Sequence, residues 1–209
     1  MINILCYGDS NTHGTRPMAH IDDVQRFAPD QRWPGVLLAA LGAGHAIVEE
    51  GLPGRTTVFD DPIDGAHLNG RSYLLPCLAS HKPLDHVVLM LGVNDLKRRF
   101  DLSPHDIAGG VGALVLTIKT VTAAMGKPAK ILVVCATPIL CTGWLAPMFE
   151  GGDTKSRALP ALVKAQAERH GAGFFDAGTV ASVSKLDGIH FEAEGQRAIG
   201  LAVAAHIKG

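Results

Sequence analysis

The sequence has almost no charge imbalance: 19 Lys and Arg stand against 20 Asp and Glu, a net charge of −1. Its basic residues are not bunched, and a phosphate-backbone partner needs a basic footprint, so no nucleic-acid partner is expected. The four cysteines, Cys6, Cys77, Cys135 and Cys141, show no CxxC spacing, and the ten histidines no HExxH or HxH pattern. A metal site therefore has no support in the sequence. Cys6 and Cys135 sit in apolar runs as small hydrophobes, and free thiols fit a reducing compartment. No apolar run approaches the roughly 18–20 residues of a membrane span. The first residues lack the basic, apolar and small-residue segments of a signal peptide. The expectation is a cytoplasmic protein with no membrane partner. Internal repeats and low-complexity tracts are also missing. What remains is 209 residues, 47% hydrophobic and 19% charged, enough for one domain over 1–209 with a substantial core.

Short apolar runs alternate with helix-like segments. Strands are expected at Ile2–Tyr7, Ala46–Glu50, Val87–Leu91, Ile131–Cys135 and Gly173–Phe175, several rich in Val and Ile. Helices are expected at Pro34–Leu41, Ser103–Met125, Lys155–His170 and Glu194–Ile207, the third kinked or shortened by Pro160. Near-continuous apolar strands suit a parallel sheet covered on both faces. The fold class is α/β, a three-layer α/β/α flavodoxin-like sandwich of about five parallel strands.

Ligands in such folds bind beyond the carboxyl ends of the strands. Four polar, glycine-bearing loops fall there: GDSNTHG (8–14), EGLPGRTT (50–57), GVNDLK (92–97) and DGIHF (187–191). A nucleophilic serine needs an adjacent base and a hole for the oxyanion. Ser10 is the candidate nucleophile, with His190 as base and Asp187, three residues earlier, to orient it. The backbone N–H groups of Ser10 and Gly54 and the Asn94 side chain are candidate oxyanion donors. Singly, Gly54 reads as a type II turn and Asn94 as an Asx-turn. The Gly-x-Ser-x-Gly elbow of α/β-hydrolases is absent, because Thr12 stands at its second glycine. A flavodoxin-like flavin binder would use GDSNTHG as a phosphate cradle, but it leaves Asn94, Asp187 and His190 without a task. A catalytically idle interaction or carbohydrate-binding module finds no degenerate position to support it.

These four blocks, in their order and spacing, resemble the SGNH (GDSL-type) hydrolase superfamily. RFAPDQRWPGVL, EEGLPGRTT, MLGVNDLK and FEGGDTKS are similar to its bacterial arylesterase and acyltransferase subgroup. The resemblance implies a triad of Ser10, His190 and Asp187 and an oxyanion hole of Ser10, Gly54 and Asn94. It also implies no metal or organic cofactor. The implied activity is hydrolysis of small acyl or aryl esters through an acyl-serine, with acyl transfer to alcohols as a further capacity. Deacetylation of acetylated carbohydrates is the alternative on the same triad. Some close relatives carry aromatic residues at the positions of His13 and Thr15, so this polar pair is a candidate for substrate binding, together with Arg55. His13 also stands close enough to Ser10 to be a rival base.

Two long irregular stretches, 16–32 and 138–152, look like insertions that bind, cover or meet another subunit. With the subgroup resemblance they imply a homo-oligomer. Asp60, Asp61 and Asp64 read as a solvated acidic turn, and Lys97, Arg98 and Arg99 as a charged helix start or surface patch, with substrate contact left open by their proximity to Asn94. Trp33 reads as core packing.

Overall fold

The structure, a computed structural model, describes residues 1–209. Five strands, β1 (Ile2–Gly8), β2 (His45–Gly51), β3 (His86–Met90), β4 (Lys130–Cys135) and β5 (Gly173–Asp176), form one sheet in the order β2-β1-β3-β4-β5. Every pairing is parallel. Each expected strand is present to within a residue at either end.

Alternation along the strands explains the layers. Leu5, Tyr7, Val87, Leu89, Val133 and Cys135 face one way, and Ile4, Cys6, Val88, Met90, Leu132 and Val134 the other. The first face is covered by α3 (Gly70–His81), α4 (Pro104–Ala124) and α5 (Gly152–Arg169). On the second lie α2 (Trp33–Leu41) and α6 (Ala193–Lys208). A short helix, α1 (Ser10–His13), follows β1 directly. Trp33 is fully buried in the second core, as its sequence context suggested.

Three departures from the sequence reading have physical causes. Helix α3 goes unseen in the sequence because Pro76 lies in its middle. It forms because the Asn69 side chain caps it and Leu74, Cys77 and Leu78 bury against the sheet. Pro160 does not delay α5, which begins at Gly152. Helix α4 is 21 residues long and contains an 18-residue window of mean hydropathy 1.6, so one segment does reach the length and apolarity of a membrane span. Glycines and threonines break up its apolar runs and hide this. In the fold, half of that stretch is buried, packed between the sheet and its neighbours α3 and α5.

The acidic turn is solvated only in part: Asp60 and Asp64 are exposed as expected, and Asp61 is not. Asp61 is 2% exposed and accepts hydrogen bonds from the backbone N–H groups of Ile63 and Asp64, both at 3.0 Å. Lys97, 4% exposed, reaches Asp61 at 3.2 Å and Asp64 at 3.1 Å. Arg99 meets the same two carboxylates at 3.0 and 3.2 Å. Two segments far apart in sequence neutralise each other, so Asp61 and Lys97, read as surface charges, are interior, and Arg99 is half-buried. Arg98, paired with Asp101, stays at the surface as expected. Removing one partner of a buried pair strands the other, so Asp61→Ala is expected to cost about 3 kcal/mol or more. Urea unfolding at neutral pH measures it.

Candidate active site

Helix α1 sits at the carboxyl ends of β1 and β2, beside the point between β1 and β3 where the strand order reverses. It fits only because Gly51 ends β2: a Cβ there would come within 2.1 Å of the His13 nitrogen. Asp9 caps the helix by accepting from Asn11 N–H at 2.9 Å, which presents Ser10 at the first helical position.

Ser10 Oγ lies 3.0 Å from His190 Nε2, and His190 Nδ1 lies 2.6 Å from Asp187 Oδ2. The other oxygen of Asp187 accepts from the N–H groups of Ile189 and His190, each at 3.0 Å. Burial works to raise the Asp187 carboxyl, but His190 and these N–H bonds outweigh it and hold it below the ordinary range. An anionic carboxylate thus fixes Nδ1 as the protonated nitrogen, leaving Nε2 free to accept the serine proton. His13, the rival, points to Thr15 Oγ1 at 3.2 Å. Burial, then Arg26 and Arg32, lower its pKa, and no carboxylate orients its ring.

Three donors surround the space beside Ser10. The Ser10 N–H is one of the unpaired donors of a helix start. Gly54 holds a left-handed φ of 84°, open to glycine at no steric cost, and its N–H makes no backbone hydrogen bond. Asn94 follows β3, and its Nδ2 donates to Arg55 O at 3.1 Å, leaving one further N–H. Arg55 does not face the cavity. It is buried, donates to Gly8 O at 2.9 Å and to Glu50 O, and stacks 4.2 Å over the Tyr7 ring. It clamps the ends of β1 and β2 and so sets the backbone that carries Gly54.

Ser10, Gly54, Asn94 and His190 open into a cavity of about 170 Å³. Met18 and Ile21 from the first irregular stretch and Trp144, Leu145, Met148 and Phe149 from the second wall it. Thr15 lies on the wall, and His13 and Arg55 do not. Lys97 lies on the wall, the placement its nearness to Asn94 had left open, and the sequence reading missed one participant, Met18, whose N–H donates to Asp187 Oδ2 at 2.8 Å. Its main-chain donor leaves no signal in the sequence. Away from the cavity, Glu50, Cys77 and His81 hold their donor atoms within 4.8 Å of one another, a spacing that could hold a metal ion. There His81 Nε2 lies 3.1 Å from Glu50, and burial raises the Cys77 thiol to about 12.

Two further carboxylates lie beneath the site. Burial pushes Asp9 up to about 6, against the Asn11 N–H bond, His190 and Arg55, which lower it. Burial likewise pushes Asp95 up to about 6, despite bonds from the Thr57 N–H at 3.0 Å and from its hydroxyl. A carboxyl raised on folding binds its proton more tightly in the folded chain, so its stabilisation is full at low pH and lost as pH rises. Between pH of about 4 and about 6, these two groups make the protein less stable as pH increases. Asp95→Asn is expected to flatten that slope, measured as urea midpoints across the range.

The comparisons with known proteins give the family and the fold. The family model of the GDSL-like lipase/acylhydrolase family matches residues 6–198. The structure superposes on the native M. smegmatis aryl esterase with a TM-score of 0.94 at 43% identity, covering 100% of this chain and 99% of that one. A carbohydrate acetylesterase from Sinorhizobium meliloti gives the same TM-score, identity and coverage. A G-D-S-L protein from Veillonella parvula, 17% identical with a TM-score of 0.66 over 99% of this chain and 98% of that one, shares the fold. No match was found among curated protein sequences. With its four loop blocks gathered on one rim and the family's pattern running through nearly its whole length, the chain belongs to the GDSL-like lipase/acylhydrolase family.

Proposed function

We propose that the protein is a serine esterase that hydrolyses small acyl or aryl esters through an acyl-serine. The observation that carries this is the continuous line from Ser10 Oγ to His190 Nε2 and from His190 Nδ1 to Asp187, beside donors with unspent N–H groups. In this reading Ser10 attacks the ester carbonyl as His190 removes its proton, and Asp187 stabilises the imidazolium that results. The carbonyl oxygen, now anionic, takes the N–H groups of Ser10 and Gly54 and the free N–H of Asn94. His190 returns the proton to the departing alcohol. Water, activated by the same imidazole, then releases the acid. Apart from the ester and this water, every group in these steps belongs to the chain.

Cavity size supports small substrates, since about 170 Å³ is below the usual range for drug-sized ligands. Apolar walls of Met18, Ile21, Leu145, Met148 and Phe149 favour an acyl or aryl group over a charged one. The acetylesterase relative supports a second reading, removal of acetyl groups from carbohydrates, with the acetyl in this cavity and the sugar outside. Transfer of the acyl group to alcohols would use the same intermediate. We also propose a homo-oligomer. Supporting it are Ile21 and Val24, 64% and 78% exposed on the stretch that walls the cavity. A monomer mass by light scattering at micromolar concentration overturns that proposal.

Ser10→Ala is expected to lower kcat on p-nitrophenyl acetate by about 10⁴-fold or more. Asn94→Ala, with one oxyanion donor gone, is expected to lose about 10²–10³-fold. Near-unchanged turnover by Ser10→Ala sinks the assignment. Side-by-side rates on phenyl acetate and acetylated xylo-oligosaccharides, followed through an acyl-chain series, decide between the two substrate classes.

A further inference from the structure

We propose that Met18 is a positioning residue of the triad, whose main-chain N–H holds the Asp187 carboxylate in the plane that His190 requires. The inference rests on the esterase reading above and extends it to the irregular stretch 16–32.

Asp187 is fully buried and accepts four hydrogen bonds. Three come from its own turn: Ile189 N–H and His190 N–H on Oδ1, and His190 Nδ1 on Oδ2. The fourth comes from Met18 N–H, 169 residues away in sequence, at 2.8 Å on Oδ2. The turn bonds pin one oxygen. They leave the other held only by the group it must orient, and Met18 N–H supplies the independent second pin. Pro17 fixes the backbone immediately before Met18, and Ala19 N–H donates to Asp23 at 3.1 Å, closing the loop just after it.

This bond also sets how strongly the carboxylate acts on the imidazole. A donor on Oδ2 stabilises the anion and spends part of its basicity, so removing it makes Asp187 a stronger partner for protonated His190. The other charges around the pair lie on different elements: Asp9 at the cap of α1 with Arg55 behind it, Asp95 beside Asn94, and Lys97 on the cavity wall. Arg16, His20, Asp22, Asp23 and Arg26 share the stretch with Met18 and keep their charge when Met18 alone is changed. The Met18 side chain walls the cavity as well, so one residue meets the substrate with its side chain and the triad with its backbone.

Two substitutions separate these roles. Met18→Ala keeps the N–H and trims the wall. It is expected to change KM along an acyl-chain series while the acid limb of kcat/KM stays in place. Met18→Pro removes the N–H. It is expected to lower kcat about tenfold to a hundredfold and to move the acid limb to higher pH. An unmoved limb in Met18→Pro overturns the proposal, and so does an equal shift in Met18→Ala. Hydrogen exchange of the wild-type Met18 amide tests it without any variant: slow exchange that becomes fast in Asp187→Ala is expected, and fast exchange in the wild type overturns it. Wild-type turnover of p-nitrophenyl acetate, abolished by Ser10→Ala, is measured alongside. Its absence defeats the esterase reading, whereas its presence with an unmoved limb defeats only the role of Met18.

Discussion

The site depends on one constraint: Ser10 must stay within hydrogen-bond reach of an imidazole 180 residues further along the chain. No local turn can enforce that, so the two loops are stitched together directly. Asn11, next to the serine, donates to Ile189 O at 3.2 Å and accepts from Phe191 N–H at 3.3 Å, on either side of His190. Gln196, fully buried in α6, donates to Asn11 O at 3.0 Å and accepts from Trp33 N–H at 2.9 Å. The indole N–H of Trp33 in turn reaches Thr12 at 3.3 Å. Helices α2 and α6 therefore lock α1 from beneath. A buried polar network with every member satisfied specifies one arrangement more sharply than apolar packing would. Asn11 and Gln196 are as much a part of Ser10's position as the strand that precedes it.

A second consequence is electrostatic. Placing Asp9 and Asp95 in the interior costs stability near neutral pH, since both carboxyls are pushed up to about 6. Each is retained because its oxygens do something no apolar side chain can. Asp9 caps the helix that presents Ser10, and Asp95 ties Thr57, at the end of the loop bearing Gly54, to the segment bearing Asn94. Their like charges repel, and Arg55 offsets part of this for Asp9. Local rules are broken where the backbone must be held for chemistry, which is where a stable chain is expected to break them.

The sheet was legible because fully apolar strands leave a pattern of their own, and the rim followed from topology. Ser10, Gly54, Asn94, Asp187 and His190 were nameable because each owes its place to a loop directly beyond a strand or before the last helix. Other features failed for identifiable reasons. Residue type alone placed Asp61, Lys97 and Arg99 at the surface, since nothing local reveals that two charged segments cancel across a fold. Pro76 masked α3, where packing on the sheet outweighs the lost hydrogen bond. Arg55 is adjacent to Gly54 in sequence yet points to the strand ends. The Met18 contact is made by a main-chain N–H, which every residue but proline possesses.

The division of labour between framework and irregular segments follows from these placements. Donors and triad residues stand on short connections to the sheet, where little freedom remains. Most of the apolar wall instead comes from the stretches around Met18 and Trp144, which have no regular structure of their own. Changing those stretches alters the volume offered to an acyl group without moving a strand, as expected when function is grafted on a fold. Yet the walls are not independent of the chemistry. One stretch donates to Asp187 through Met18, and the other donates from Leu140 N–H to Gly188 O at 2.9 Å, beside the same carboxylate. Both walls lean on the turn between Asp187 and His190, so what fits the cavity and how the triad is held are two aspects of one set of contacts.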